Sequence, residues 1–85
     1  MMNDSVKFEA TIYYMVDSDH PDYKYIKEPE AKQQFSDIYK FDTFYWGDDF
    51  GGMKAYMKQD LALVAGGGYN CDHINNVKYK ITRLH

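Results

Sequence analysis

Apolar and polar positions alternate near both ends of the chain. Within residues 6–17, every second position from Val6 to Val16 is apolar or aromatic, while most of the positions between them are polar. The same alternation returns over residues 77–84. A period of two with β-branched and aromatic residues predicts strands that bury one face. We therefore expect the chain to begin and end in a β-sheet.

A helical period marks the second half of the chain. Four apolar residues recur at positions i, i+4, i+8 and i+11: Met53, Met57, Leu61 and Val64. This spacing places them on one side of a helix over about residues 50–65, in which Met57 and Leu61 should be buried. Asp48 and Asp49 come immediately before this segment and are typical N-cap residues.

The glycine run at residues 66–68 follows this helix. Phosphate-binding glycine loops precede a helix, where backbone N–H groups and the positive end of the helix dipole face the anion. A helix C-terminus presents carbonyl groups instead, and this run lacks the lysine and the hydroxyl residue of a P-loop. We therefore expect Gly66 to end the helix as a left-handed C′ residue rather than to bind nucleotide.

The pattern between the first strand and this helix is mixed. Pro21, among short polar residues, predicts a turn, and residues 22–27 are then predicted to form a second hairpin strand. Pro29 suits the first turn of a helix. Four apolar residues follow at positions i, i+4, i+7 and i+8: Ala31, Phe35, Ile38 and Tyr39. They predict an amphipathic helix of about three turns. Residues 40–46 are open to two interpretations, a short strand or a packed connection.

These elements define an α+β fold class. We expect an antiparallel β-sheet of three or four strands, including the first and last strands of the chain, covered on one face by two α-helices. The chain of 85 residues is expected to form a single domain over residues 1–85.

The net charge of −3 is unevenly distributed. Residues 1–50 carry eleven acidic residues and five lysines, whereas residues 51–85 carry two acidic and five basic residues. This asymmetry predicts a polarised surface that steers a charged partner, unless folding mixes the two halves of the chain. Arg83 is the only arginine, which argues against sequence-specific readout of DNA.

No complete catalytic or metal-binding motif is present in the sequence. Residues 17–28 resemble a calcium loop at their first, third and twelfth positions, but Asp22 stands where that loop needs glycine, and Pro21 offers no side-chain oxygen. Cys71 and His73 lack the further ligands that zinc requires and the base and orienting group that a nucleophile requires. We therefore expect no catalytic residue, no metal and no cofactor, and a protein that is not an enzyme.

The presence of a single cysteine indicates the cellular compartment of the protein. Cys71 cannot form an internal disulfide, which favours a cytoplasmic protein. The longest apolar runs, residues 12–16 and 61–65, are far too short to cross a bilayer, so no membrane association is expected.

Aromatic residues are the remaining functional signal. Nine tyrosines, five phenylalanines and one tryptophan exceed what a core of this size should bury. Tyrosine and tryptophan dominate the energetics of protein interfaces. Together with aspartates in the expected turns, they predict a partner-binding surface of nine residues: Asp17, Asp19, Asp22, Tyr23, Tyr25, Tyr45, Trp46, Asp48 and Asp49.

We hypothesise a small acidic, tyrosine-rich protein-binding module, similar in character to phage-encoded inhibitors, modulators and anti-defence proteins. Its partner would be a larger host protein, such as a nucleic-acid-processing enzyme, whose basic surface the module occupies. One alternative is a nucleic-acid-binding protein that uses Lys78, Lys80, Arg83 and neighbouring aromatic residues. Another is an enzyme whose site no motif reveals. The chain is expected either as a monomer or as a symmetric homodimer through its last strand, where Lys78 and Lys80 discourage indiscriminate pairing.

Overall fold

A computed structural model describes residues 5–66 and 73–84. Three antiparallel strands form one sheet in the order β2-β1-β3: β1 Ser5–Val16, β2 Gln33–Asp42 and β3 Ile74–Arg83. One turn of helix, α1 (Thr43–Trp46), follows β2, and a long helix, α2 (Phe50–Gly66), packs on one face of the sheet. The predicted α+β fold with an antiparallel sheet that includes the first and last strands is confirmed.

The core lies between α2 and the alternating residues of β1. Val6, Phe8, Ala10 and Ile12 are 0 to 5% exposed. From the helix, Met53, Met57 and Leu61 are each 0% exposed, so the predicted stripe is confirmed for these three residues. It is wrong for its fourth residue, Val64, which is 56% exposed, because the buried face near the end of the helix consists of Ala62 and Ala65 instead. β1 is the central strand because its apolar residues face the helix while both of its edges pair with neighbours.

The second predicted helix is wrong, because residues 33–42 form strand β2. Ten residues of β2 pair with β1, from Ser5 opposite Asp42 to Tyr14 opposite Gln33. Phe35 and Tyr39 are four apart, a spacing that fits a strand face as well as a helix face, since four is a multiple of two. Ile38 points to the other face of the sheet and is 50% exposed. Pairing with β1 therefore decides the conformation of this segment.

The second predicted hairpin strand is also wrong. Residues 22–27 contain one turn of 3₁₀ helix, Tyr23–Tyr25, within the connection from β1 to β2. The two prolines, Pro21 and Pro29, flank this segment, and proline cannot donate its backbone nitrogen to a strand ladder. The described sheet consequently has three strands.

Residues 40–46 combine the end of a strand with a helical turn. β2 continues to Asp42, and α1 begins at the next residue. The Asp42 carboxylate accepts a 2.8 Å hydrogen bond from the backbone N–H of Phe44, which caps α1. Gly47 ends the turn with a φ of 61°. Neither a short strand nor a packed connection alone describes this segment, because it contains the end of β2 and a helical turn.

Helix α2 begins as predicted and ends one residue later than predicted. Asp49 is its N-cap, because its carboxylate accepts a 3.0 Å hydrogen bond from the N–H of Gly52. At the other end, Gly66 is the last residue of the helix and not the left-handed residue after it. The prediction of Gly66 as a left-handed C′ residue is therefore wrong, and residues 67–72 lie outside the described part of the chain.

Strand β3 contains a bulge beside β1. The register shifts between Tyr13 and Met15 of β1, and Asn76 on the opposite strand has a φ of 54°. Asparagine adopts this left-handed conformation more readily than most residues, which suits the extra residue of a bulge. Within residues 5–66 and 73–84, no helix is both long enough and apolar enough to cross a membrane.

Candidate protein-binding site

Two adjacent aromatic residues project from α1 into solvent. Phe44 is 86% exposed and Tyr45 is 83% exposed, the two largest exposures among the large hydrophobic side chains of the described residues. Their rings lie edge to face with centroids 5.9 Å apart. Burying two such rings against a partner would remove a large apolar area from water. We call residues 42–49, which contain this exposed pair, the aromatic tip.

The next residue, Trp46, holds the aromatic tip to the domain. Its indole packs edge to face on Phe41, with centroids 5.0 Å apart, and on Tyr56, at 5.9 Å. Phe41 belongs to β2 and is only 4% exposed. One helical turn thus directs two aromatic side chains outward and the third inward, so that the exposed pair stands on a packed base.

Three aspartates flank the exposed aromatic pair in the sequence. Residues 41–53 contain three aspartates, Asp42, Asp48 and Asp49, and no lysine, arginine or histidine. All three are exposed. Asp42 and Asp49 each cap a helix, as described above, whereas Asp48 contributes a backbone carbonyl that accepts a 2.8 Å hydrogen bond from Phe50 N–H. The aromatic tip therefore combines apolar area with negative charge.

The nine predicted residues divide into two groups at opposite ends of the sheet. Tyr45, Trp46, Asp48 and Asp49 lie at the aromatic tip, next to the start of β1. The other five follow the end of β1, which at the usual rise per residue is about 35 Å away. The molecule is correspondingly elongated, with extents of 49 × 20 × 18 Å. One compact partner-binding surface cannot contain all nine residues.

The second group consists largely of residues with structural contacts. Asp17 accepts a hydrogen bond from the side-chain amide of Asn75, and Asp19 lies 3.3 Å from Nδ1 of His73. Tyr23 packs against the core. Tyr25 is 75% exposed, but the ammonium of Lys24 lies 5.2 Å from the centre of its ring. Asp22, also exposed, donates its backbone N–H to His20.

The basic residues of the nucleic-acid alternative do not share a face of the sheet. Lys78 pairs with Tyr13 and Lys80 with Thr11, on the face that α2 leaves open. Arg83 pairs with Phe8 on the opposite face. Its guanidinium lies 5.3 Å from the centre of the Phe50 ring.

The described residues offer no metal centre. No three histidine, cysteine, aspartate or glutamate side chains within residues 5–66 and 73–84 are arranged to hold an ion. His20 is buried and already uses both ring nitrogens: Nε2 lies 2.7 Å from the carbonyl of Ala65, and Nδ1 accepts the Asp22 N–H at 3.0 Å. Cys71 lies outside the described residues.

Two tyrosines that pack against the core have raised pKa values. Burial raises the pKa of Tyr14. Burial and a hydrogen bond to Asp60 raise the pKa of Tyr39. Both keep neutral phenols in the fold and lie outside the aromatic tip.

Phe44 is the residue of the aromatic tip that sequence reasoning missed. The sequence does contain a signal for a helical turn here. Asp42 precedes the aromatic run as an N-cap residue, and Gly47 follows it as a residue that ends a helix. Three consecutive side chains of one helical turn point in different directions, so some of them must face solvent.

The sequence matches no known family model, and comparisons with characterised proteins and with solved structures give no match.

Proposed function

We propose that this protein is a protein-binding module that docks through the aromatic tip onto a basic surface of a larger protein. The observation that carries the proposal is the exposure of Phe44 and Tyr45, at 86 and 83%, on a base that Trp46 packs into the domain. Interface hot spots are rigid aromatic anchors that become fully desolvated on binding. Aromatic side chains have only two rotatable bonds, so they lose little side-chain entropy for the contact area that they supply.

The three aspartates favour a partner whose surface carries lysine and arginine around an apolar pocket. Carboxylates at the rim would accelerate association and orient the module, while the two rings would slow dissociation. The basic channel of a nucleic-acid-processing enzyme has this character. A module bound there would exclude the nucleic acid and so act as an inhibitor or modulator, which is the role hypothesised from the sequence.

The first test is comparative capture from a cell lysate. The wild type, Phe44→Ala/Tyr45→Ala and the matched control Tyr25→Ala are immobilised at equal density, and retained proteins are quantified by mass spectrometry. Tyr25 is an exposed tyrosine at the far end of the sheet, so it controls for loss of aromatic surface. A partner retained by the wild type and by Tyr25→Ala but lost by the double variant supports the proposal. Equal retention by all three contradicts it.

The second test separates the rings from the charges on the purified partner. If each ring contributes about 2 kcal/mol, Tyr45→Ala should raise the dissociation rate about 30-fold. Asp48→Lys should instead slow association, and the effect should shrink as salt screens the charges. Asp48 is preferred to Asp42 and Asp49, because reversing either of those would also remove a helix cap. An unchanged association rate for Asp48→Lys at low salt would exclude a role for the acidic rim.

A further inference from the structure

A groove runs between α2 and the last strand, on the side of the molecule away from β2. α2 packs mainly on β1 and β2, so the inner face of β3 is incompletely covered. The groove has a volume of about 570 Å³ and is lined by lysines and by half-buried apolar side chains: Lys54, Lys58, Val77, Lys78, Tyr79 and Ile81.

This groove is basic although the protein is acidic. Lys54 and Lys58 line it from α2, Lys78 lines it from the edge of β3 at a position that belongs to the outer face, and no acidic residue lines it, in a chain with a net charge of −3. Lys54 and Lys58 are one helical turn apart and both exposed, and the Lys58 ammonium lies 5.5 Å from the centre of the Tyr79 ring. The groove is thus a local concentration of positive charge on an acidic protein.

β3 is an edge strand of the described sheet, since it pairs with β1 on one side only. A strand added to such an edge sends its side chains alternately to the two faces of the sheet. On the inner face they would lie beside Lys54 and Lys58, and on the outer face beside Lys78 and Lys80. Lysines on both faces disfavour most strands at this edge but select one rich in carboxylates. We propose that an extended acidic peptide segment of a partner protein binds here by adding a strand to β3.

Two other occupants fit less well. Single-stranded nucleic acid needs exposed rings for base stacking. The ring in the groove, Tyr79, is half-buried and has a lysine ammonium over it. A second copy that paired antiparallel about Tyr79 would place Lys78 of each copy opposite Lys80 of the other, and directly opposed like charges destabilise a sheet.

The experiment measures anisotropy of a fluorescein-labelled peptide of about ten alternating glutamate and valine residues, a length that matches β3. We expect saturable binding that weakens with added salt. Lys54→Gln/Lys58→Gln should weaken it about tenfold, an effect of about 1.4 kcal/mol. The matched control Lys24→Gln/Lys27→Gln, which removes the same charge from exposed positions outside the groove, should leave it unchanged. Circular dichroism verifies that both variants are folded.

A second probe separates strand addition from charge attraction. The same peptide with N-methyl groups at alternate residues keeps every carboxylate but cannot donate hydrogen bonds along one edge. It should bind at least about tenfold more weakly than the unmodified peptide, a difference of about 1.4 kcal/mol or more. Equal binding of the two peptides would overturn strand addition. Equally tight binding of an oligothymidylate of the same charge would favour nucleic acid and overturn the peptide. A dimer in sedimentation that Lys78→Glu tightens would assign the edge to a second copy and also overturn the proposal.

Discussion

The phenol of Tyr39 donates a 2.6 Å hydrogen bond to Oδ2 of Asp60. This bond joins edge strand β2 to α2 across the margin of the core. Desolvation of the phenol is the largest cause that raises the Tyr39 pKa above its ordinary value of 10.0, followed by the bond to Asp60 and the charge of that carboxylate. An ionised Tyr39 would lose this bond and place two negative charges in contact.

Tyr39 should therefore make the protein sensitive to alkaline pH. Because the pKa in the folded state lies above that in the unfolded chain, the contribution to stability is complete below the unfolded value and falls as pH rises through the folded value. We expect the free energy of unfolding of the wild type to fall above about pH 10 relative to that of Tyr39→Phe. Urea unfolding across this range measures the difference, with Tyr45→Phe as the control for loss of one phenol. If the difference in free energy of unfolding between the wild type and Tyr39→Phe does not change with pH, the raised pKa of Tyr39 is contradicted.

His20 should stabilise the fold, although no sequence pattern assigns it a role. Its Nδ1 accepts a backbone N–H, so its proton lies on Nε2, which donates to the carbonyl of Ala65 at the C-terminal end of α2. Replacing it with alanine leaves a helix carbonyl and an N–H without these partners, which should cost roughly 1–3 kcal/mol. Urea melts of His20→Ala and of Lys27→Ala, an exposed residue of the same connection, test this. Nitrogen-15 spectra that show the proton on Nδ1 would contradict the hydrogen-bonding pattern.

Leu61 should be among the most sensitive positions of the core. It is 0% exposed, and truncation of a fully buried leucine leaves a cavity. We expect Leu61→Ala to lower the free energy of unfolding by about 2–5 kcal/mol. Val64, on the same helix but 56% exposed, is the matched control and should change stability by less than about 0.5 kcal/mol on truncation. Equal losses for the two variants would mean that α2 packs in a different rotation.

The contrast between α2 and β2 indicates how far sequence pattern could predict this fold. Apolar spacings of three and four occur both in α2 and in residues 31–39, so this spacing alone does not separate the helix from the strand. What marks α2 in the sequence is Asp49, the N-cap before its first apolar residues. For β2 the decisive evidence is pairing with β1, and single-residue patterns do not contain pairing. The same limit applies to the site. Tyr45 and Trp46 could be selected as interface residues, but their separation from Tyr23 and Tyr25 follows from the direction of β1, which requires the topology.

Gly47 and Gly51, four residues apart, should respond to alanine in opposite directions. Gly47 has φ 61° and ψ −132°, a conformation that residues with a Cβ rarely adopt, although an added Cβ would meet no atom within 4 Å. The cost of Gly47→Ala is therefore conformational, about 1–3 kcal/mol. Gly51 lies in the first turn of α2, where an added Cβ would be at an ordinary 3.9 Å from Asp49 Oδ1. Gly51→Ala should gain up to about 1 kcal/mol, because alanine favours the helix and restricts the unfolded chain. Gly52 is a poorer choice for substitution, since its added Cβ would collide with the capping carboxylate of Asp49.

Thermal melts of Gly47→Ala and Gly51→Ala provide the comparison. A Gly47→Ala protein as stable as the wild type would mean that the turn behind Trp46 relaxes freely, and the aromatic tip would then lack the rigid base on which its proposed role depends.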